Sequence, residues 1–353
     1  MPSFSLSPIH LLRAAATAAA LCLAVVHVQA QESVLNLYSA RHYQTDEALY
    51  ENFSKATGIR INRIDADDAG VLARLQSEGA SSPADVILLV DAARLWRAEI
   101  DGLFQPVRSK LLEAAIAPQW RGKDSGEGSS WFGFSTRARL IVYDRQRVQK
   151  TDVDSYEKLA SAVNKGRLCT RSGSHPYNLS LFGAMLEHLG PVNAEDWLRG
   201  LVANMARPPK GGDTDQIRGV ASGECGVALT NSYYLARLMR SQAPADRAAL
   251  DRIGVVFPDQ AGHGTHVNLA GGAIARHAKH RDAALRFLEY LASPAAQAYF
   301  ADGNNEWPVV RGVKLANPAL DKLGPFKADT VAASVIGMNQ VRVQQMLDRV
   351  GYR

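Results

Sequence analysis

ADVILLV, residues 84–90, is a near-continuous apolar run closed by Asp91, and its length and Val/Ile/Leu content read as a strand covered on both faces. Two strand-like segments lie upstream, VLNLYS (34–39) and IRINRI (59–64). Between them, the segment from Thr45 through Leu49 and Phe53 to Gly58 reads as a helix, with Thr45 as N-cap and Asp46 and Glu47 in the first turn. A second helix is expected over residues 71–77, and Asp91 caps the start of a third. This βαβαβ run predicts an α/β protein on a parallel sheet with helices on both faces.

Downstream, residues 122–130 turn to Gly, Ser and charge, and WFGFS (131–135) and RLIVYD (139–144) read as two short strands crossing into a second lobe. That lobe alternates again: a helix near 156–164, a strand at Leu168, helices over 177–189 and 194–203, the strand GVALT (226–230) and a helix opening at Tyr233. RIGVVF (252–257) stops at Pro258, and HVNLAGGAIA (266–275) resumes strand character as the chain returns to the first lobe. The expected division is an N-terminal lobe of residues 31–130 and 256–310 and a C-terminal lobe of 131–255 and 311–353. Two lobes joined by crossing strands make a hinge and an interlobe cleft.

With 353 residues, 46% hydrophobic and 21% charged, the chain is globular and long enough for two domains. Residues 1–30 differ. His10 and Arg13 precede or enter an Ala/Leu/Val-rich stretch, and Val28-Gln29-Ala30 is a small-residue processing pattern, so a signal peptide cut after Ala30 is expected. The stretch is short for a retained membrane anchor. Cys22 follows Leu21, where lipid attachment wants a small residue. Cys169 and Cys225 remain, and in an exported chain such a lone pair is expected to form a disulfide, with two buried thiols as the alternative. The net charge of +5 falls by one when Arg13 leaves with the leader. Without a Lys/Arg block or aromatic-basic interleaving, nucleic acid is not an expected partner. The small excess serves surface solvation or the holding of an anionic complex.

The chemistry-bearing residues cluster after strands. His42-Tyr43 follows VLNLYS, Tyr177 follows GRLCTR (166–171) and Tyr233-Tyr234 follows GVALT. Ligands of open α/β sheets bind outside the carboxyl ends of strands, so these segments aim phenols at one place. Hard phenolate oxygens with one imidazole suit Fe(III), whose charge displaces the phenol proton. Half-buried packing is the ordinary use of Tyr; His42 is read as adding one nitrogen, with a surface or outer-sphere group as the alternative. Tyr143 fits sheet alternation instead. Arg137, Arg139 and Arg237 are candidates for stabilising phenolates or an anion. His263, His266, His277 and His280 read as surface histidines, and no nucleophile elbow, phosphate loop or dinucleotide fingerprint is present.

NLYSARHYQTDEALYENFSKATGI (36–59), SPADVILLVDAARLWRAE (82–99), STRARLIVYD (135–144), CTRSGSHPYNLSL (169–181), SGECGVALTNSYYLARL (222–238), HVNLAGGAIARHAKH (266–280) and EWPV (306–309) together resemble the periplasmic ferric-iron-binding proteins of ABC importers, the cyanobacterial-type family in particular. The resemblance covers nearly all of the chain after the leader. It implies a type II periplasmic-binding-protein fold, with Tyr43, Tyr177, Tyr233 and Tyr234 as iron ligands and His42 a ligand in some members. It also implies Arg139 and Arg237 near the metal, a synergistic anion such as carbonate in some members, and delivery of Fe(III) to a membrane permease with its ATPase. A periplasmic monomer without a stable membrane anchor is expected, not an enzyme. Trp307 stands in EWPV where Tyr is expected. The alternatives are a binding protein for a small organic or anionic solute, with the tyrosines as stacking walls, and, behind it, a secreted metal-dependent hydrolase.

Overall fold

Three parallel strands at one edge carry out the βαβαβ expectation: β1 (Val34–Ser39) pairs with β2 (Arg60–Asp65) on one side and β3 (Val86–Leu89) on the other. The computed structural model describes residues 33–41 and 43–353; the expected leader with its cleavage site, and His42, lie outside the described residues. The remaining strands are β4 (Phe104–Gln105), β5 (Phe132–Asp144), β6 (Leu168–Cys169), β7 (Val227–Asn231), β8 (Ile253–Val256), β9 (Val267–Ala275) and β10 (Trp307–Pro308). The sheet order is β2-β1-β3-β9-β5-β7-β6, with β10 and β8 paired to β5 and β4 to β9.

Helices α1 (Asp46–Thr57), α2 (Asp68–Glu78) and α3 (Ala92–Ile100) belong to the first βαβαβ run. The α1 helix buries Leu49, Tyr50 and Phe53 and stops at Gly58, whose φ of 72° is the left-handed conformation that Gly adopts without a Cβ clash. Asp91 caps α3 as expected, its Oδ1 accepting from Arg94 N at 3.0 Å. After α4 (Lys110–Ala115) come α5 (Pro176–Ala203), α6 (Asp213–Ser222), α7 (Ser232–Arg240) and α8 (Pro244–Arg252). The chain finishes through α9 (Arg281–Leu291), α10 (Pro294–Asp302), α11 (Pro318–Leu323) and α12 (Ala333–Val350).

The β5 strand differs from expectation in an instructive way. WFGFS and RLIVYD are parts of one continuous strand rather than two. Its first part pairs antiparallel with β9, from Phe132 to Ala138, and its second part pairs with β7 and β8, from Arg139 to Asp144. Arg137 and Arg139, which lie where the two expected strands would meet, are only 2% and 1% exposed. Phe132 and Phe134 enter an apolar core with Leu35, Leu37 and Phe287, whereas Ile141 enters another with Leu181, Phe182 and Trp197. One strand thus runs from one core to the other.

The helix expected near 156–164 is instead two 3-10 turns, Glu157–Ala160 and Ala162–Asn164, separated by an extended Ser161. Asn164 Nδ2 donates to the carbonyls of Asp152 and Lys158, offering them a partner other than a helix. The helices expected over 177–189 and 194–203 both lie in α5, which breaks at Gly190 (φ 72°, ψ 167°) before Pro191. Cys169 and Cys225 are disulfide-bonded, with Cα atoms 5.8 Å apart, which resolves the sequence alternative. His266 is buried rather than on the surface: its Nε2 lies 3.0 Å from Ser180 Oγ, and burial pushes its imidazole down to about 4. Trp307 packs against Phe257 and Phe326.

Candidate metal centre

Three chain turns deliver the phenols. Tyr43 lies just past the end of β1. Tyr177 occupies the first turn of α5, where His175 Nδ1 accepts from the Tyr177 N–H at 3.2 Å and Pro176 starts the helix with no donor to satisfy. Tyr233 and Tyr234 open α7, which follows β7 directly; Ser232 Oγ accepts from Ala138 N at 3.2 Å and fastens this start to β5. The disulfide stands at the ends of two of these segments, joining β6 to the residue two before β7.

The phenols meet in one place. Tyr177 and Tyr233 hydroxyls are 3.0 Å apart. The Tyr43 ring stands edge-on to Tyr233 with centroids 5.7 Å apart, and the Tyr233 and Tyr234 rings are 4.2 Å apart. A cavity of about 620 Å³ reaches Tyr43 and Tyr177 and is also lined by Arg41, Asp68, Arg94 and His175. Burial raises the Tyr43 and Tyr233 phenols well above their ordinary value and pushes Tyr177 up to about 12. All three are therefore neutral without a cation.

The arginines divide by their partners. Arg139 forms an ion pair with Asp213 at 2.7 Å and donates to Asn231 and Asn178, tying the end of β7 to the start of α5. Arg237 is exposed on α7, its guanidinium 5.2 Å from the Tyr234 ring and donating to Thr214 Oγ1. Arg137 lies 5.6 Å from the Tyr177 ring centre and donates through Nη2 to Val90 O, while Nε and Nη1 have no hydrogen-bond partner.

Sequence reasoning missed Glu306 and Arg41. Glu306 is fully buried, and its Oε1 accepts from Tyr43 OH at 3.0 Å. Arg41 lies over the Tyr43 ring at 4.9 Å and pairs with Asp46 at 2.6 Å. The signal was present in EWPV, where Glu306 sits beside the Trp307 that drew attention, and in the Arg-His-Tyr run at 41–43.

Chemically, this arrangement suits a small, hard, highly charged cation. Near-octahedral hard ions such as Mg²⁺ have metal–oxygen bonds of about 2.0–2.1 Å, so neighbouring oxygens lie about 3 Å apart. The Tyr177–Tyr233 oxygen pair already has that spacing. Among the described residues, no group of three or more His, Cys, Asp or Glu offers a rival metal site.

Residues 48–329 match the family of bacterial extracellular solute-binding proteins. Iron uptake protein A1 of Synechocystis is 43% identical, over 92% of this chain and 88% of that protein. The structure of Trichodesmium IdiA (FutA), in complex with iron and citrate ligands, is 47% identical, covers 91% of this chain and all of that one, and superposes with a TM-score of 0.84. The ferric binding protein from Campylobacter jejuni is 37% identical, with coverage of 90% and 100% and a TM-score of 0.85. These likenesses give the chain the two-lobe type II periplasmic-binding-protein fold, with hinge strands and an interlobe cleft. The chain belongs to the bacterial extracellular solute-binding proteins.

Proposed function

We propose that this protein captures Fe(III) through the phenolate oxygens of Tyr43, Tyr177, Tyr233 and Tyr234 and delivers it to an ABC-type importer. The observation that carries the reading is the meeting of phenols from three separated segments, with two hydroxyls at the spacing of adjacent metal ligands. Relatives named for iron uptake and ferric binding support it. A trivalent cation supplies the charge that displaces a phenol proton and turns the oxygen into a ligand. His42 is an additional candidate ligand. Arg237, and Arg139 through the segments it fastens, stand around the phenols, and an anion such as carbonate or citrate completes the shell.

In this reading the lobes are residues 31–130 with 256–310 and 131–255 with 311–353, and Tyr43 closes on three phenols of the second lobe. Iron favours the closed state by the ligands it gains there. The leader is cut after Ala30, leaving a periplasmic monomer without an anchor that binds and hands over its cargo without turnover. Its partners are an inner-membrane permease and the attached ATPase.

Visible absorption of the metal-stripped mature protein titrated with Fe(III) tests this. A saturable phenolate-to-metal charge-transfer band at one iron per chain is expected. A protein that shows no band and instead binds an organic anion after metal stripping is a solute carrier with tyrosine walls.

A further inference from the structure

Glu306 lies 263 residues from Tyr43 in sequence and accepts its hydroxyl at 3.0 Å through Oε1. The other oxygen, Oε2, accepts from Ser135 Oγ at 2.7 Å and lies 3.5 Å from Arg41 Nη2. Arg41 is in turn fixed by Asp46 at 2.6 Å, and Asp46 Oδ1 accepts from Asn304 Nδ2 at 2.7 Å. The carboxylate therefore joins the end of β1, the start of α1, β5 and the segment after α10, with no exposed surface of its own.

We infer that Glu306 is a positioning residue for Tyr43, holding its hydroxyl toward the other phenols before metal arrives. This rests on the iron reading given above. Tyr43 is the phenol most in need of such help. Tyr177 and Tyr233 touch each other, and their segments share a disulfide, but Tyr43 comes from a different sheet edge. A buried hydroxyl without an acceptor is costly, so loss of Glu306 turns Tyr43 toward water and away from the site. Ser135 and Arg41 engage Oε2, and Oε1 holds the Tyr43 proton until coordination releases it, so the contact orients this phenol in the metal-free protein.

The test compares Glu306→Leu, Glu306→Gln, Tyr43→Phe and the Leu/Phe double variant by Fe(III) titration, reading the position and intensity per iron of the charge-transfer band. Glu306→Leu should shift the band as Tyr43→Phe does and lower affinity about 10–100-fold, the range of residues that orient metal ligands. In the Tyr43→Phe background it should change affinity by no more than about twofold, the scatter of additive effects. Glu306→Gln, which keeps an acceptor oxygen, should stay near wild type. An unchanged band in Glu306→Leu, an equal loss in the Tyr43→Phe background, or failure of Gln to rescue overturns the assignment. If Glu306→Leu does not fold, Glu306→Asp replaces it, since its shorter arm withdraws the acceptor while keeping the charge. A wild-type protein without any band removes the iron reading and this assignment together; a wild-type band with an indifferent Glu306 removes only the latter.

Discussion

Arg137 and Arg139 stand two residues apart on one strand, both almost wholly buried, yet their hydrogen-bond partners differ. Arg139 has a carboxylate at 2.7 Å and two amide oxygens within 3.1 Å. Arg137 has one backbone acceptor and two unpartnered donors, and the charges acting on it come from three phenols and from Glu306, which gives it no hydrogen bond. Buried charge is ordinarily paired, because desolvation is otherwise uncompensated. The Arg139 guanidinium leaves only Nε without a partner; a carboxylate and two amide oxygens engage its other two nitrogens, and this network serves architecture. In the proposed iron site the phenols would become anionic beside Arg137 and supply the charge that its unpartnered donors lack.

The comparison breaks most easily at Asp213. Asp213→Ala strands the Arg139 charge and should lower the stability of the metal-free protein by about 3–5 kcal/mol, read from its denaturation midpoint. If Arg137→Met costs as much, the two arginines do not differ in kind. On the site side, Tyr233→Phe should lower Fe(III) affinity more than about 100-fold, beyond the loss caused by residues that merely orient ligands, while the metal-free protein melts almost as before. Arg137→Met should leave stability unchanged or raised and weaken iron by about 10–100-fold, separating its role from that of Arg139. Lowering pH should weaken iron binding. Tyr43, Tyr177 and Tyr233 are raised above the ordinary phenol value, so each of them that coordinates must release a proton, and one pH unit costs at least about tenfold in competition with a chelator of known proton uptake. Arg237→Ala, at the exposed edge, should change affinity least, within about threefold in the same competition; a loss as large as that of Arg137→Met would move Arg237 into the inner group.

Much of this was legible because strands and helix starts leave local signatures. The apolar run at 84–90, the Asp91 cap and Gly58 foretold the first βαβαβ unit, and the phenols after strands foretold a cleft. What was not legible lies in long-range pairing. Nothing local to Arg137 and Arg139 reveals that Val90, Asp213 and Asn178 receive them, so β5 read as two strands. Glu306 meets Tyr43 only because β10 folds back beside β5. His266 looked like one of four surface histidines until β9 carried it against Ser180.

The Cys169–Cys225 bond has a consequence for timing. It braces the chain leading into Tyr177 and the chain leading into Tyr233 and Tyr234, so three of the four phenols ride on one covalently tied body. An ion seated there as proposed would keep those three oxygens if Tyr43 withdrew. On the proposed iron reading, hinge opening would alter its exposure far more than its residence time, and hand-over would be governed by the arrival of competing donors rather than by the rate at which the lobes part.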